Sequence, residues 1–168
     1  MPGTIGAELP ALLPRLRRYA IALCQSPALA DDLVQSACER ALANPDLWTP
    51  GTRLDAWLFR IVRNIWIDGC RRARLEAQVR LSGAEALTCD GEREALGRIE
   101  FIEIAAKMES LSWEQREVLL LVCVDDMSYR EVANLLNVPI GTVMSRLARA
   151  RKRLLEIYDP TAGERARG

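Results

Sequence analysis

Thr142, Ser145, Arg146, Arg149, Lys152 and Arg153 follow one another at helical spacing near the end of the chain, and no acid interrupts them before Glu156. At about 100° per residue they share one face of a helix whose other face carries Val143, Leu147, Ala150 and Leu154. Hydroxyls and guanidinium groups on a face of that width fit a DNA major groove, where they meet both phosphates and base edges. On charge alone, the solvated face of an amphipathic helix reads the same way. The residues just upstream favour DNA: Val132, Ala133, Leu136 and Val138 sit where a helix-turn-helix packs two helices at a steep angle. Asn137 takes the turn position, and Asn is one of the few residues that tolerate a left-handed backbone.

Arg53, Arg60, Asn64, Arg71 and Arg74 fall within about 40° of a common line on a second helix, with Arg63 at its border. Trp57 borders that stripe, whereas Trp66 aligns with Val62 and reads as core. Cations, an amide and the aromatics Trp48 and Trp57 beside a Gly/Pro loop suit single-stranded DNA, whose exposed bases stack or enter pockets. A surface charge stripe over two buried tryptophans is the competing reading.

Composition narrows the remaining chemistry. The 168 residues include no His, which removes Ser-His-Asp and Cys-His catalysis and His-ligated zinc. Paired carboxylates such as Asp31-Asp32 point to different sides of a helix, so no enzyme activity and no cofactor are expected. Cys24, Cys38, Cys70, Cys89 and Cys123 form an odd set without a C-x-x-C pair and read as reduced thiols. Lys and Arg number 23 and Asp and Glu also 23, so any polyanion site must come from local segregation of charge. Arg15, Arg17 and Arg18 before Tyr19–Cys24 imitate a signal peptide, but the apolar run is shorter than the roughly 7 residues needed. No stretch approaches the ~20 apolar residues of a membrane span, so a cytoplasmic protein without membrane insertion is expected.

The elements that must position these residues are all helical, since apolar residues recur at three- and four-residue steps and alternation is nearly absent. The pattern predicts helices from Leu9 to Cys24, and from Ser26-Pro27 to about Ala43 with Leu33, Val34, Ala37, Cys38, Ala41 and Leu42 buried. After a turn-rich stretch, Thr52 and Asp55 have capping-box spacing before a helix from Leu54 to about Arg74. Ser82-Gly83 and Asp90-Gly91 weaken the pattern between about Leu75 and Gly97. Helix resumes from Glu100 to Met108. Capping boxes then open at Ser112/Gln115 and Ser128/Glu131, and a last helix reaches about Tyr158. The plan is an all-α chain with two small helical domains, 1–76 and 108–160, joined by a flexible linker at 77–107 and followed by a tail at 161–168.

These segments resemble the extracytoplasmic-function alternative sigma factors of the sigma-70 family, whose two helical domains direct bacterial RNA polymerase to promoters. The matching stretches are Ala30-Asp-Asp-Leu-Val-Gln35 with Glu39-Arg-Ala-Leu42, Ala56-Trp-Leu-Phe-Arg-Ile-Val-Arg-Asn64 with Asp68, and Leu111-Ser-Trp-Glu-Gln-Arg-Glu-Val118. Ser128-Tyr-Arg-Glu-Val-Ala133 and Gly141-Thr-Val-Met-Ser-Arg-Leu-Ala-Arg-Ala150 complete the set in the family's order.

The resemblance implies a sigma region 2-like bundle followed by a region 4-like helix-turn-helix. It implies docking on core RNA polymerase, at the clamp helices of the largest subunit through Asp31, Asp32, Leu33, Gln35 and Glu39, and at the flap. It assigns capture of the melted −10 non-template strand to Trp48, Thr49, Gly51, Arg53, Trp57, Arg60, Asn64 and Arg71, with Asn64, Trp48 and the loop near a flipped base. The −35 duplex falls to Thr142, Ser145, Arg146, Arg149, Lys152 and Arg153. Met144 departs from the pattern, standing where the family commonly has Lys or Arg, and Ala148 is small at an edge position. An anti-sigma factor partner and a role in stress-responsive transcription are further implications. The linker acids Glu76, Glu85, Asp90, Glu92 and Glu94 suit a strap that mimics a polyanion in polymerase channels, or an ordinary solvated linker. A dimeric helix-turn-helix regulator of duplex DNA and a protein-only adaptor remain as rivals.

Overall fold

The computed structural model describes residues 4–80 and 108–158, and the chain divides into two units, Met1–Glu94 and Ala95–Gly168. The regular elements among the described residues are α1 (Ile5–Cys24), α2 (Pro27–Ala43), a 3-10 turn (Pro45–Leu47), α3 (Leu54–Arg80), α4 (Trp113–Cys123), α5 (Tyr129–Leu136) and α6 (Ile140–Tyr158). No strand occurs among them, in agreement with the all-α reading.

In the first unit α1, α2 and α3 all pack on one another. Leu16, Tyr19 and Leu23 of α1, Ala30 and Ala37 of α2, and Leu58, Phe59 and Val62 of α3 are sealed from solvent and form the core. The Tyr19 and Phe59 rings lie 4.7 Å apart at 45°, a tilted contact that adds to their area burial. Small residues on α2 let its backbone approach its neighbours closely. Ser26 caps α2 by accepting from Leu29 N, with Pro27 behind it at the first helical position.

Three local expectations for this unit are corrected. Helix α1 begins at Ile5, not Leu9, and runs through Pro10 and Pro14. Both prolines lie on the exposed face of the helix, away from the core, while Ile5 and Leu9 gain burial. The expected buried stripe of α2 holds at Leu33, Val34, Ala37 and Ala41 and fails at its edge. Cys38 is half-buried and Leu42 is 53% exposed, because the line from Val34 through these two runs along the margin of the stripe and turns outward by about 40° at each step of four residues. Thr52 and Asp55 form no capping box. Thr52 Oγ1 donates to Thr49 O at 2.6 Å, and Asp55 is occupied by two arginines and by Ala56 N–H.

Helix α3 continues to Arg80, past the expected end near Arg74 and into the stretch read as linker from residue 77. The rest of that stretch, with its turns, most of its acids and the helix expected at Glu100–Met108 except its last residue, lies outside the described residues, as does the tail.

In the second unit α4, α5 and α6 enclose Val118, Leu121, Val132, Val143, Leu147 and Ala150, none more than 1% exposed. Both expected capping boxes form. Gln115 N donates to Ser112 Oγ and Ser112 N to Gln115 Oε1, and Glu131 N and Ser128 N make the same reciprocal pair. Asn137 closes α5 at φ 54°, ψ 49°, its N–H bonded to Ala133 O, and Val138 N reaches the same carbonyl. This left-handed residue turns the chain into α6 within three positions.

Candidate nucleic-acid interface

Each unit presents one cationic surface. On α6 the buried line of Val143, Leu147 and Ala150 leaves the opposite side to solvent, where Ser145, Arg149, Lys152 and Arg153 are exposed. Thr142 and Arg146 are half-buried at its margin. Ser145 Oγ donates to Thr142 O at 3.1 Å, keeping its lone pairs outward. One guanidinium nitrogen of Arg146 is enclosed without a protein acceptor, so only the part of the group that remains exposed can meet DNA. Arg153 meets Glu156 at 3.6 Å, an exposed pair that costs little to break. The six residues expected here therefore stand together on one helix face.

The second surface surrounds a hollow of about 270 Å³ between the end of α2 and the middle of α3. Arg40, Asn44, Leu47, Trp57, Arg60, Ile61 and Asn64 line it. The arrangement combines an aromatic side chain, apolar walls, two amides and two guanidinium groups, which can stack a base, bond its edge and hold its phosphate. Trp57, Arg60 and Asn64 were expected from the stripe. Arg40, Asn44, Leu47 and Ile61 carry no such signal, since Asn44-Pro45-Asp46 reads only as a turn. Asn44 Nδ2 donates to Arg40 O, which fixes the amide at the rim. Arg71 is exposed further along the helix.

Trp48 does not join this hollow. It lines a separate one of about 370 Å³ with Thr4, Ile5, Pro45, Asp46 and Pro50, its Nε1 enclosed without an acceptor. The 3-10 turn sends Leu47 to one hollow and Pro45 and Asp46 to the other. Thr49 and Gly51 serve the loop itself: Thr52 N bonds Thr49 O, and Gly51 has φ 86° behind Pro50, the signature of a type II turn. Arg53 is tied to Asp55 by two hydrogen bonds at 3.1 and 2.7 Å.

Burial alone would raise the Asp55 carboxyl pKa. The Arg53 hydrogen bond, the Ala56 N–H and the charges of Arg53 and Arg15 outweigh it and hold the group below its ordinary range.

On α2, Asp31, Asp32, Gln35 and Glu39 are exposed within an arc of about 100°, with Asp31 and Asp32 at its two edges and Leu42 between them. Asp31 accepts from Arg17 Nε at 2.7 Å, and Gln35 donates to Glu39 at 3.2 Å. Leu33 is not on this face. It is 6% exposed and belongs to the core, so its place in a contact surface is corrected to support from beneath. Among the described residues no group of His, Cys, Asp or Glu could hold a metal, and no helix is long and apolar enough to cross a membrane.

Two family models match: Sigma-70, region 4, over residues 101–154, and the Sigma2 domain of PhyR over residues 9–63. The ECF RNA polymerase sigma factor EcfG of Rhodopseudomonas palustris is 39% identical over 147 residues, covering 88% of this chain and 81% of that protein. The chain belongs to the ECF RNA polymerase sigma factors. SigW of Bacillus subtilis, another such factor, is 33% identical over 138 residues, with 74% of this chain and 73% of its own covered. A solved structure of the sigma factor RpoE from Bartonella quintana, in complex with the anti-sigma factor NepR, is 33% identical with a TM-score of 0.77, over 92% of this chain and 96% of that one. Membership in this family sets aside the dimeric regulator and the protein-only adaptor. In this sigma factor the region 4 match spans α4, α5 and α6 as far as Leu154, and the other match covers the lining of the α2–α3 hollow except Asn64, which lies one residue past its end.

Proposed function

We propose that this sigma factor reads promoters with its two cationic surfaces in different ways, α6 on duplex and the α2–α3 hollow on a melted strand. The observation that carries the reading is the contrast between the surfaces. A convex helix face with hydroxyls and cations suits a groove, whereas a concave site with Trp57, Asn64 and flanking arginines suits an unpaired base. Ser145, Arg146 and Arg149 bond base edges of the −35 element, and Thr142, Lys152 and Arg153 hold phosphates. Asn64 bonds the flipped base of the −10 non-template strand, Trp57 stacks on it, and Arg40, Arg60 and Arg71 track the backbone. The loop Trp48–Arg53 guides the strand. Capturing the base offsets an unstacking cost of a few kcal/mol and favours the open state.

The exposed side of α2, with Asp31, Asp32, Gln35 and Glu39, docks on the clamp helices of core polymerase, and the second unit docks on the flap. The chain itself performs no catalysis; polymerase supplies the metals and the chemistry, in the cytoplasm. An anti-sigma factor holds it inactive, a reading supported by the complex of the related RpoE with NepR.

Transcription in vitro with core polymerase and a genomic fragment library tests this. Defined transcripts appear only with the protein present. Asn64→Ala keeps promoter binding but loses strand opening, and Arg149→Ala loses dependence on the upstream element. A protein that neither binds core polymerase nor redirects initiation sinks the proposal.

A further inference from the structure

The exposed side of α6 is uneven along its length. Its cations other than Arg146 begin at Arg149, and the solvent-facing residues before them are Ile140, Gly141, Met144, Ser145 and Ala148, all uncharged. Ile140 and Met144 are 48% and 51% exposed, although both are large and apolar. Successive steps of four residues turn by about 40°, so Ile140, Met144 and Ala148 form one continuous line along a flank of the helix. Arg146 lies on the other flank, across Ser145. Arg151, which continues the apolar flank towards the C-terminus, is exposed and stands about two turns beyond Met144. One flank of the first two turns of the groove-facing helix thus carries a cation, and the other carries a flexible thioether and a branched aliphatic group, with no charge on that flank before Arg151.

Such a flank cannot bond phosphates or the polar edges of bases. The apolar group that a major groove offers is the thymine C5-methyl. Gly141, Ser145 and Ala148 are small and permit close approach, which leaves Met144 as the long side chain able to reach it. Lys152 and Arg153, further along, hold the phosphates and set the register of the helix on the duplex. Met also adapts its shape to the surface it meets.

We infer that Met144, seconded by Ile140, is a specificity-determining residue that selects thymine in the upstream promoter element through its methyl group. This rests on the reading of α6 as the duplex-reading helix. The thymine stands on the strand facing the flank opposite Arg146.

The test uses the full chain assembled with core polymerase on a promoter recovered by selection from a random library. Each thymine of the upstream element is replaced in turn by deoxyuridine, which removes only the methyl group. At one or two positions the wild-type holoenzyme loses about fourfold in affinity, the equivalent of one buried methyl. Met144→Ala binds both templates alike. Met144→Lys erases the methyl effect and steepens the salt dependence by about one phosphate contact, a change that a misfolded helix does not produce. If deoxyuridine has no effect, or the same effect on wild type and Met144→Ala, while Arg149→Ala still weakens binding, the methyl assignment falls and the duplex-reading helix stands. If Arg149→Ala and scrambling the upstream element both leave binding unchanged, the reading of α6 falls and this inference with it.

Discussion

Arg15 of α1 reaches Asp55 of α3 at 2.9 Å, and the same carboxylate oxygen accepts from Arg53 at 2.7 Å. Asp55 is 8% exposed, and the Arg15 guanidinium also lies over the Phe59 ring, 5.7 Å from its centroid. One carboxylate thereby joins two helices and holds the last residue of the Trp48–Arg53 loop. Asp55→Ala removes the carboxylate that two arginines share, although their own side chains remain 30% and 39% exposed and so partly solvated. It is expected to cost about 1–2 kcal/mol, visible as a lower thermal midpoint of the first unit. An unchanged midpoint would mean that the two arginines find other acceptors.

The same pair gives a pH dependence. Asp55 titrates below its ordinary value of 3.8 in the folded chain, so the folded state binds fewer protons there than the unfolded state. Its contribution is complete above that ordinary value and is lost as pH falls through the lowered folded one. Thermal midpoints followed from about pH 7 down to about pH 3 are expected to show a smaller acid decline in Asp55→Asn than in wild type. Equal declines would assign the acid sensitivity to other carboxylates.

Gly51 faces open space, so the objection to a side chain there is its φ of 86° alone. Gly51→Ala is expected to strain the turn by about 1 kcal/mol. Strand opening slows while duplex binding by α6 is unaffected. Permanganate footprinting of the melted region, compared with gel shifts, separates the two; a parallel loss of both would contradict a role confined to the loop.

The Ser128/Glu131 box opens α5 after α4, and Asn137 at φ 54° closes it before α6. Asn137→Val is expected to destabilise the second unit by about 1–2 kcal/mol, and Ser128→Ala by about 1 kcal/mol. Asn137→Gly is expected to stay near wild type. Denaturant titrations monitored by circular dichroism check the order, and a Gly variant as weak as the Val variant would show that the Asn side chain, not its backbone, matters.

Thiol reactivity follows exposure and local charge. Cys123 is exposed, Cys24 is buried, and burial together with the neighbouring Glu39 charge raises the Cys38 pKa. Mass-spectrometric alkylation is expected to label Cys123 before Cys38, with Cys24 last. Labelling of Cys24 ahead of Cys123 would require opening of the α1–α2 corner.

What the amino-acid sequence determined by itself is local. The boxes at Ser112 and Ser128 couple residues three apart, the left-handed Asn137 follows from one side chain, and the two faces of α6 follow from a period of 3.6 residues. Each signal is complete within a turn or two of backbone, so it survives without knowledge of neighbours. The tertiary structure decided what depends on residues far apart in the chain. Periodicity assigns Leu33 and Leu42 to the same stripe, but only the positions of α1 and α3 put the first in the core and leave the second in solvent. Glu117 and Arg116, charged by type, are buried in the second unit, which follows from packing rather than from composition. Asn64 and Trp57 were legible as a stripe on one helix. Their hollow was not, because Arg40, Asn44 and Leu47 reach it from the far end of α2, and Trp48, adjacent in sequence to Leu47, was turned away by a single 3-10 turn. Helical period specifies which residues share a face; the crossing of helices specifies which faces meet, and a binding hollow exists only where they do.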